Sequence, residues 1–199
     1  MTTTPATSSA VTTAQLFTAA RTQNGYLDQP VSDAQLQALY EVFKFGPTSA
    51  NCSPARFKFV RSAEARAQLL GCVAPGNAAK ISQAPVTVIV GMDMAFYEQL
   101  PRLFPQTDAR AWFVGNAKMI QDTALRNSSL QGGYMIIAAR ALGLDCGPMS
   151  GFDAAKMDST FWAGSSVKTN FICTLGHGDA SKVYPRNPRL AFDEACSLA

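Results

Sequence analysis

The sequence predicts one folded domain in which helices and strands alternate, which is typical of the α/β or α+β class. Apolar residues at spacings of three and four predict a helix over 33–45, with Ser32 as its N-cap. The run Val86–Val90 is apolar on both faces and predicts a central strand. A hydrophobic fraction of 47% indicates a chain that folds rather than an intrinsically disordered one.

The other elements follow in chain order. Residues 1–13 are rich in Thr, Ser and Ala and predict a disordered tail, which leaves 14–199 as a single domain. The segment 94–113 interleaves aromatic residues with prolines, and we expect it to form a flap of broken helix rather than a core element. Periodicity and turn residues predict further helices over 14–20, 63–72, 117–142 and 154–161, and further strands over 57–61 and 169–175.

Composition excludes several classes of function. A net charge of +3 without a basic stripe argues against nucleic-acid binding, and no apolar run is long enough to cross a membrane. The five cysteines contain no C-x-x-C pair, so we expect reduced thiols in a cytoplasmic protein rather than zinc ligands or disulfides. The charged fraction of 16% is low, which favours a surface partly buried in an oligomer.

The stretch Leu142–Asp153 predicts a stiff platform between two helices. Gly143 lies where a left-handed glycine would end the first helix, and Asp153 is a suitable N-cap for the next. Between them we expect a brief strand and then a turn at Gly147-Pro148. Gly151 permits either a positive φ or the close approach of another group. Taken alone, the stretch favours an ordinary αβ connection over a binding platform.

Most standard catalytic devices are excluded by the residue types present. His177 is the only histidine and follows a strand, where a structural role is expected, and no P-loop motif occurs. The G-x-G at 176–178 is not a dinucleotide fingerprint, because Pro185 prevents the helix that must follow. Three arginines suit the binding of a phosphate, although each alone could be a surface residue: Arg21, Arg186 and Arg189. Three polar residues suit a polar ring, although alone they could form a plain turn: Thr48, Ser49 and Asn51.

Two segments resemble the FMN-dependent nitroreductase family. The segment 47–57, P-T-S-A-N-C-S-P-A-R-F, resembles its P-S-S-x-N-x-Q-P-W-x-F, and the segment 141–153 resembles its A-L-G-L-x-x-x-P-I-x-G-F-D. The chain is most similar to the HadB/RutE subgroup, described as malonic semialdehyde reductases of pyrimidine degradation. The resemblance implies an α+β nitroreductase-like fold with a central mixed β-sheet flanked by helices. It also implies an intertwined homodimer with an exchanged C-terminal arm.

The same resemblance implies the site residues. In one subunit, the residues that would contact FMN are Arg21, Asn24, Arg186 and Arg189. In the other subunit they are Pro47, Thr48, Ser49 and Asn51. The backbone N–H of Ser150 or Gly151 would point to N5, within a segment along the flavin ring that consists of Pro148, Met149, Ser150 and Gly151. Ser150 stands where many relatives carry a glutamate, so this chain lacks a carboxylate beside the ring.

The resemblance implies a two-step hydride transfer through flavin N5, with NADH or NADPH as donor, and neither a catalytic side chain nor a metal. The acceptor would be malonic semialdehyde, reduced to 3-hydroxypropionate. In the flap, Arg110 would bind the acceptor's carboxylate beneath Phe104, Trp112 and Phe113. The alternatives are a general nitro- or quinone-reductase and a flavin-binding protein without turnover.

Overall fold

A computed structural model describes residues 10–199, in which one four-stranded sheet organises the fold. Its strands are β1 (Ala55–Val60), β2 (Val86–Asp93), β3 (Asp145–Met149) and β4 (Val167–Gly176). They lie in the order β1-β2-β4-β3, and each neighbouring pair is antiparallel. The predicted central position of β2 is confirmed, because it pairs on both sides.

Seven α-helices surround the sheet in the described part of the chain. They are α1 (Asp33–Phe43), α2 (Ala63–Leu70), α3 (Pro75–Gln83), α4 (Leu100–Leu103), α5 (Ala117–Ala141), α6 (Ala154–Phe161) and α7 (Phe192–Ala195). A π-helical turn precedes them at Ala14–Thr18. Short 3₁₀ turns occur at Ser49–Asn51, Phe96–Gln99, Ala109–Trp112 and Ala180–Lys182.

The α+β class is confirmed. The parallel component expected of a mixed sheet is small, since in residues 10–199 it consists of the single bridge between Thr22 and Cys146. Helices cover both faces of the sheet. One face packs against α1 and α5 through Leu39, Phe43, Met135 and Ala139, and the other packs against α2, α3 and α6 through Leu69, Ile81 and Met157.

Helix α5 runs without a break through Gly132-Gly133, in agreement with the helix predicted over 117–142. A Cβ built on Gly132 would lie 2.3 Å from Cζ of Phe171 in β4, so this glycine lets the helix lie directly against the sheet. The predicted end of the helix is confirmed, because Gly143 has a φ of +78°.

The flap at 94–113 is more buried than the sequence predicted. It consists of broken helix as expected, yet Phe96 and Leu100 are fully buried and Phe113 is only 4% exposed. These side chains form a third apolar cluster with Cys52 and Ala124 of α5. The expectation that the flap is not a core element was therefore wrong.

Residues 1–9 of the predicted tail lie outside the described part of the chain. Across 10–199, no helix combines the length and the hydrophobicity needed to cross a membrane. All five cysteines are free thiols, four of them buried and Cys196 exposed.

Candidate functional site

An open cleft of about 670 Å³ lies between the N-terminal segment, α3, the end of α5 and the C-terminal tail. Its walls carry positive charge and no carboxylate. The five cations that line it are Arg21, Lys80, Arg140, Arg186 and Arg189. The structure therefore brings together the three arginines that the sequence singled out, which lie at opposite ends of the chain. Asn24 lines the same cleft.

Hydrogen bonds to backbone carbonyls hold all four of these arginines, and Arg189 Nη1 donates to those of Asn187 and Pro188. Arg21 donates to the carbonyl of Tyr184, and Arg140 Nη1 donates to that of Leu16 at 2.7 Å. Arg186 Nη2 donates to the carbonyls of Thr18 and Ala20 at 2.9 and 3.0 Å. None of the five cations forms an ion pair with a carboxylate in the described residues. Their charge is therefore available to an anion.

The N-terminal segment reaches this cleft because it lies along the edge strand β3. Thr22 bridges to Cys146, and the Gln23 N–H donates to the Cys146 carbonyl at 3.0 Å. Gly147 is required for this approach, since a Cβ built on it would lie 2.8 Å from the carbonyl oxygen of Gln23. The pairing with β3 fixes Arg21 and Asn24 beside the end of that strand.

The predicted turn at Gly147-Pro148 was wrong, because β3 continues through both residues to Met149. Proline is tolerated here because β3 is an edge strand of the sheet, and at Pro148 it is paired with β4 alone. Pro148 and Ser150 are exposed, whereas Met149 is buried. The strand thus ends with its exposed residues beside the N-terminal segment.

Position 151 requires glycine because other groups lie close to its backbone, and its φ is not positive. Its carbonyl accepts hydrogen bonds from the Ala74 N–H at 3.0 Å and from Nδ2 of Asn77 at 2.9 Å. A Cβ on Gly151 would lie 2.8 Å from that Nδ2 atom. Its own N–H has no acceptor among residues 10–199. The predicted N-cap after it is confirmed, since Asp153 accepts from the Lys156 N–H at 3.0 Å.

Sequence reasoning missed the contribution of α3. Asn77 holds the end of β3, and Lys80, one turn later on the same helix face, lines the cationic cleft. The spacing of three residues on a helix that begins with Pro75 was the available signal. That signal is weak without knowing which face of α3 is exposed.

The turn at 47–53 is strained and held from outside. Ala50, Asn51 and Ser53 have φ values of 48°, 50° and 38°, and they are the non-glycine residues with positive φ in the described chain. The buried Asn127 of α5 accepts from the Ser49 N–H at 2.8 Å through its Oδ1. On the same helix, Tyr134 donates to the carbonyl of Pro47 at 2.9 Å. Helix α5 thus fixes the shape of this turn.

Within one chain, this turn and the cationic cleft contact α5 at separate points. The turn bonds to Asn127 and Tyr134, whereas the cleft includes Arg140, which is 13 and 6 positions further along the helix. At 1.5 Å per residue these separations are about 20 and 9 Å. Neither Thr48 nor Ser49 lines the cationic cleft of the same chain.

The flap residues differ from the expectation for an acceptor pocket. Arg110 forms a bidentate pair with Glu98, with Nε–Oε2 and Nη2–Oε1 distances of 2.7 and 2.9 Å. The hydrogen bonds to Glu98 raise the pKa of Arg110 and lower the pKa of Glu98. Phe113 is enclosed in the third cluster, whereas Trp112 is 47% exposed and packs near Phe104. Arg110 already has an anionic partner, and Phe113 cannot contact a ligand in this conformation.

A side-chain nucleophile is not evident around the turn. Burial raises the pKa of the Cys52 thiol to about 11, so the thiol stays protonated near neutral pH. Among residues 10–199, no group of three or more His, Cys, Asp or Glu side chains is arranged to hold a metal ion. The chemistry that this surface offers is the binding of an anionic ligand.

Comparison with known proteins gives one consistent result. The model of the nitroreductase family matches residues 18–177 of this chain. A protein of Ralstonia nicotianae, provisionally named NADH dehydrogenase/NAD(P)H nitroreductase, is 61% identical over 92% of this chain and 94% of its own length. HadB of Ralstonia pickettii, provisionally named in the same way, is 56% identical over 95% of this chain and 98% of its own.

The fold agrees with this result. A crystal structure of a provisionally assigned nitroreductase from Exiguobacterium sibiricum, solved in complex with FMN, superposes with a TM-score of 0.85. The superposition covers 96% of this chain and 98% of that one, at 21% identity. At this identity the likeness shows a shared fold.

Proposed function

Because this chain belongs to the nitroreductase family, we propose that it is an oxidoreductase that uses FMN and NAD(P)H. The observation that supports this function best is the cationic cleft beside the end of β3. Five cations without a carboxylate partner suit a phosphate group, and the exposed end of a strand with a free N–H suits a flat polar ring. The donor set therefore fits FMN.

The cleft suggests which residues would contact each part of the cofactor. Arg21, Arg186 and Arg189 would bind the phosphate through their planar forks, and Asn24 would bind the ribityl chain. Pro148, Met149, Ser150 and Gly151 would lie along the ring, with the free N–H of Gly151 as a hydrogen-bond donor. Lys80 is added to this set because it lines the same cleft. Its positive charge would stabilise negative charge that develops on the ring.

Bound FMN would supply the hydride transfer between NAD(P)H and the acceptor at its N5 atom. The chain would hold the ring in one orientation, since Asn77 fixes the carbonyl of Gly151 and Gly147 keeps the N-terminal segment against β3. None of Pro148, Met149, Ser150 and Gly151 has a titratable side chain, so a proton for the acceptor would come from solvent.

We propose a homodimer in which the turn Pro47–Asn51 completes the cleft of the partner. The absence of Thr48, Ser49 and Asn51 from the lining of the cationic cleft of their own chain supports a second chain as their source. Large apolar side chains are exposed on three surfaces, which is typical of an interface rather than of a monomer surface. They are Tyr40, Val42 and Phe45 near α1, Leu125 and Leu130 on α5, and Tyr184, Leu190 and Phe192 in the tail.

The exchanged C-terminal arm belongs to the same proposal. The tail after Gly176 contacts its own chain through Arg186, yet Tyr184, Leu190 and Phe192 remain exposed there. Strand β1 is an edge strand, so its outer side is open for pairing. If the apolar tail of a partner lay along β1, the exposed side chains of the tail and the open side of the strand would both be buried.

As acceptor we propose malonic semialdehyde, with reduction of its aldehyde to the alcohol of 3-hydroxypropionate in pyrimidine degradation. This narrower assignment rests on the resemblance of the sequence to the HadB/RutE subgroup; HadB of Ralstonia pickettii is 56% identical. Hydride would add to the aldehyde carbon, and the oxygen would take a proton, while NAD(P)H is oxidised. A general nitro- or quinone-reductase is the second candidate, which the provisional names of the relatives favour.

Steady-state rates with the purified, FMN-loaded protein distinguish these acceptors. We expect kcat/KM for malonic semialdehyde to exceed that for nitrobenzene by at least about 10-fold, corresponding to about 1.4 kcal/mol of preferential transition-state binding. The control is propanal, which has the aldehyde without the carboxylate. A higher kcat/KM for nitrobenzene than for malonic semialdehyde would favour the general reductase.

A further inference from the structure

A second cleft, of about 510 Å³, lies beside the strained turn and is distinct from the cationic cleft. Helix α1, the start of β1 and the flap helix α4 enclose it. Asn51 and Ser53 of the turn line one side, and Gln99 and Arg102 of the flap line the other. The remaining lining includes Tyr40, Phe45, Phe57 and Leu103 together with the cations Lys44 and Arg56. No carboxylate lines this cleft, so it favours a ligand with negative charge.

Two of its three cations are already paired. Lys44 forms an ion pair with Glu41 one turn away on α1. Arg56 forms an ion pair with the buried Asp93 and also donates to the carbonyls of Ser53 and Ala55. The charges of Lys44 and Arg56 are therefore each balanced by a neighbouring carboxylate.

Arg102 differs from these two cations. Its Nη2 donates to Oε1 of Gln99 at 3.2 Å, a neutral partner one turn away. No carboxylate lies within ion-pair distance of it in the described residues. Its guanidinium is exposed and keeps further donors for a carboxylate, which guanidinium binds bidentately. Arg110, on the same flap, already binds a carboxylate, because its Nε and Nη2 atoms both donate to Glu98.

We infer that this cleft is the acceptor pocket, and that Arg102, rather than Arg110, binds the carboxylate of a small acidic acceptor. The inference rests on the proposed function, because Asn51 belongs both to the wall of this cleft and to the turn proposed to contact FMN. An acceptor in the cleft would therefore lie next to the flavin of the site that the turn completes. The side-chain amides of Asn51 and Gln99 offer neutral hydrogen-bond donors for the rest of a polar acid.

The short helix α4 suits this role. It has four residues, Leu100 is its fully buried anchor, and Arg102 lies two positions later at the cleft. Asn51 Nδ2 donates to the carbonyl of Leu103 at 2.8 Å, which ties the turn to this helix. This contact holds the helix that carries Arg102 beside the turn that is proposed to contact FMN.

A pair of acceptors that differ in one charge tests the inference. We would measure KM for 4-nitrobenzoate and for nitrobenzene with NADH, using FMN-loaded wild-type protein, Arg102→Gln, Arg102→Lys and Arg110→Gln. In each reaction the nitro group takes a hydride and a proton and releases water to give the nitroso compound, and NADH becomes NAD⁺. The ratio of the two KM values isolates recognition of the carboxylate from effects on the flavin or the fold.

We expect Arg102→Gln to raise the ratio of the KM for 4-nitrobenzoate to that for nitrobenzene by about 10-fold or more, as for the loss of a hydrogen bond between charged groups. Arg102→Lys should recover part of the effect, since it restores the charge without the fork. Arg110→Gln should change the ratio by less than about 2-fold, because Glu98 already neutralises Arg110.

An unchanged ratio in Arg102→Gln, or a selective increase in Arg110→Gln alone, would overturn the inference. Failure of the proposed function gives a different result. In that case NADH would leave the bound flavin of the wild-type protein oxidised, and no acceptor would be reduced.

Discussion

Replacing Arg21 with alanine is expected to weaken FMN binding by about 10-fold to 100-fold, because one charge-assisted contact to phosphate is worth roughly 1.5–3 kcal/mol. Arg21 lines the cationic cleft beside the sheet edge, and no carboxylate competes for its guanidinium in the described chain. Fluorescence titration of the apoprotein with FMN measures the dissociation constant directly. Raising the salt concentration should weaken binding further, since exposed charges are screened.

Riboflavin is the matched ligand for this experiment because it lacks only the phosphate. Arg21→Ala should change the dissociation constant for riboflavin by less than about 3-fold, and Arg21→Lys should keep part of the affinity for FMN. Equal losses for both flavins would show that Arg21 supports the fold, through the carbonyl of Tyr184, rather than the phosphate.

Replacing Asn127 with alanine is expected to lower the free energy of unfolding by about 1–3 kcal/mol, the cost of leaving a partly buried donor without its acceptor. Asn127 is fully buried, and its Oδ1 accepts from the Ser49 N–H next to three residues with positive φ. Such strained backbone persists only when neighbouring contacts enforce it. We therefore also expect weaker FMN binding, because the strained turn is proposed to contact the cofactor.

Urea denaturation at one fixed protein concentration measures the stability, and fluorescence titration measures the affinity. The control is Arg126→Ala, an exposed neighbour on α5, for which a change below about 0.5 kcal/mol is expected. If Asn127→Ala left both quantities unchanged, α5 would not be what holds the turn.

Local sequence signals predicted the parts of the fold that depend on local interactions. Ser32 and Asp153 cap helices as expected, since capping needs only the next few residues. Gly143 takes the left-handed conformation that ends α5. The central strand was recognised because residues 86–90 are apolar on both faces.

Errors arose where a distant partner decides the outcome. Gly147-Pro148 has the composition of a turn, but pairing with β4 extends the strand through it, and the edge position tolerates the proline. The surroundings of two flap residues also depend on contacts with residues elsewhere in the flap. Arg110, expected to bind the acceptor's carboxylate, pairs with Glu98, 12 residues away. Phe113, expected to cover the acceptor, packs against Phe96.

The candidate site was predictable in part for the same reason. Arg21, Arg186 and Arg189 were singled out by residue type and resemblance, and the fold brings them together. Lys80 was missed because its role depends on which face of α3 meets the cleft. Arg102 was missed because its importance depends on a comparison of ion pairs: Lys44 and Arg56 each pair with a carboxylate, whereas Arg102 has no such partner among the described residues.

Anaerobic addition of NAD(P)H to the purified protein reconstituted with FMN tests the central claim most directly. The account predicts that FMN binds in proportion to the number of chains, and that the visible absorbance of the bound flavin disappears on addition of NADH or NADPH. Adding an acceptor should restore the absorbance. A protein that binds FMN but keeps its full absorbance with both nucleotides would contradict the claim that this chain is an NAD(P)H oxidoreductase.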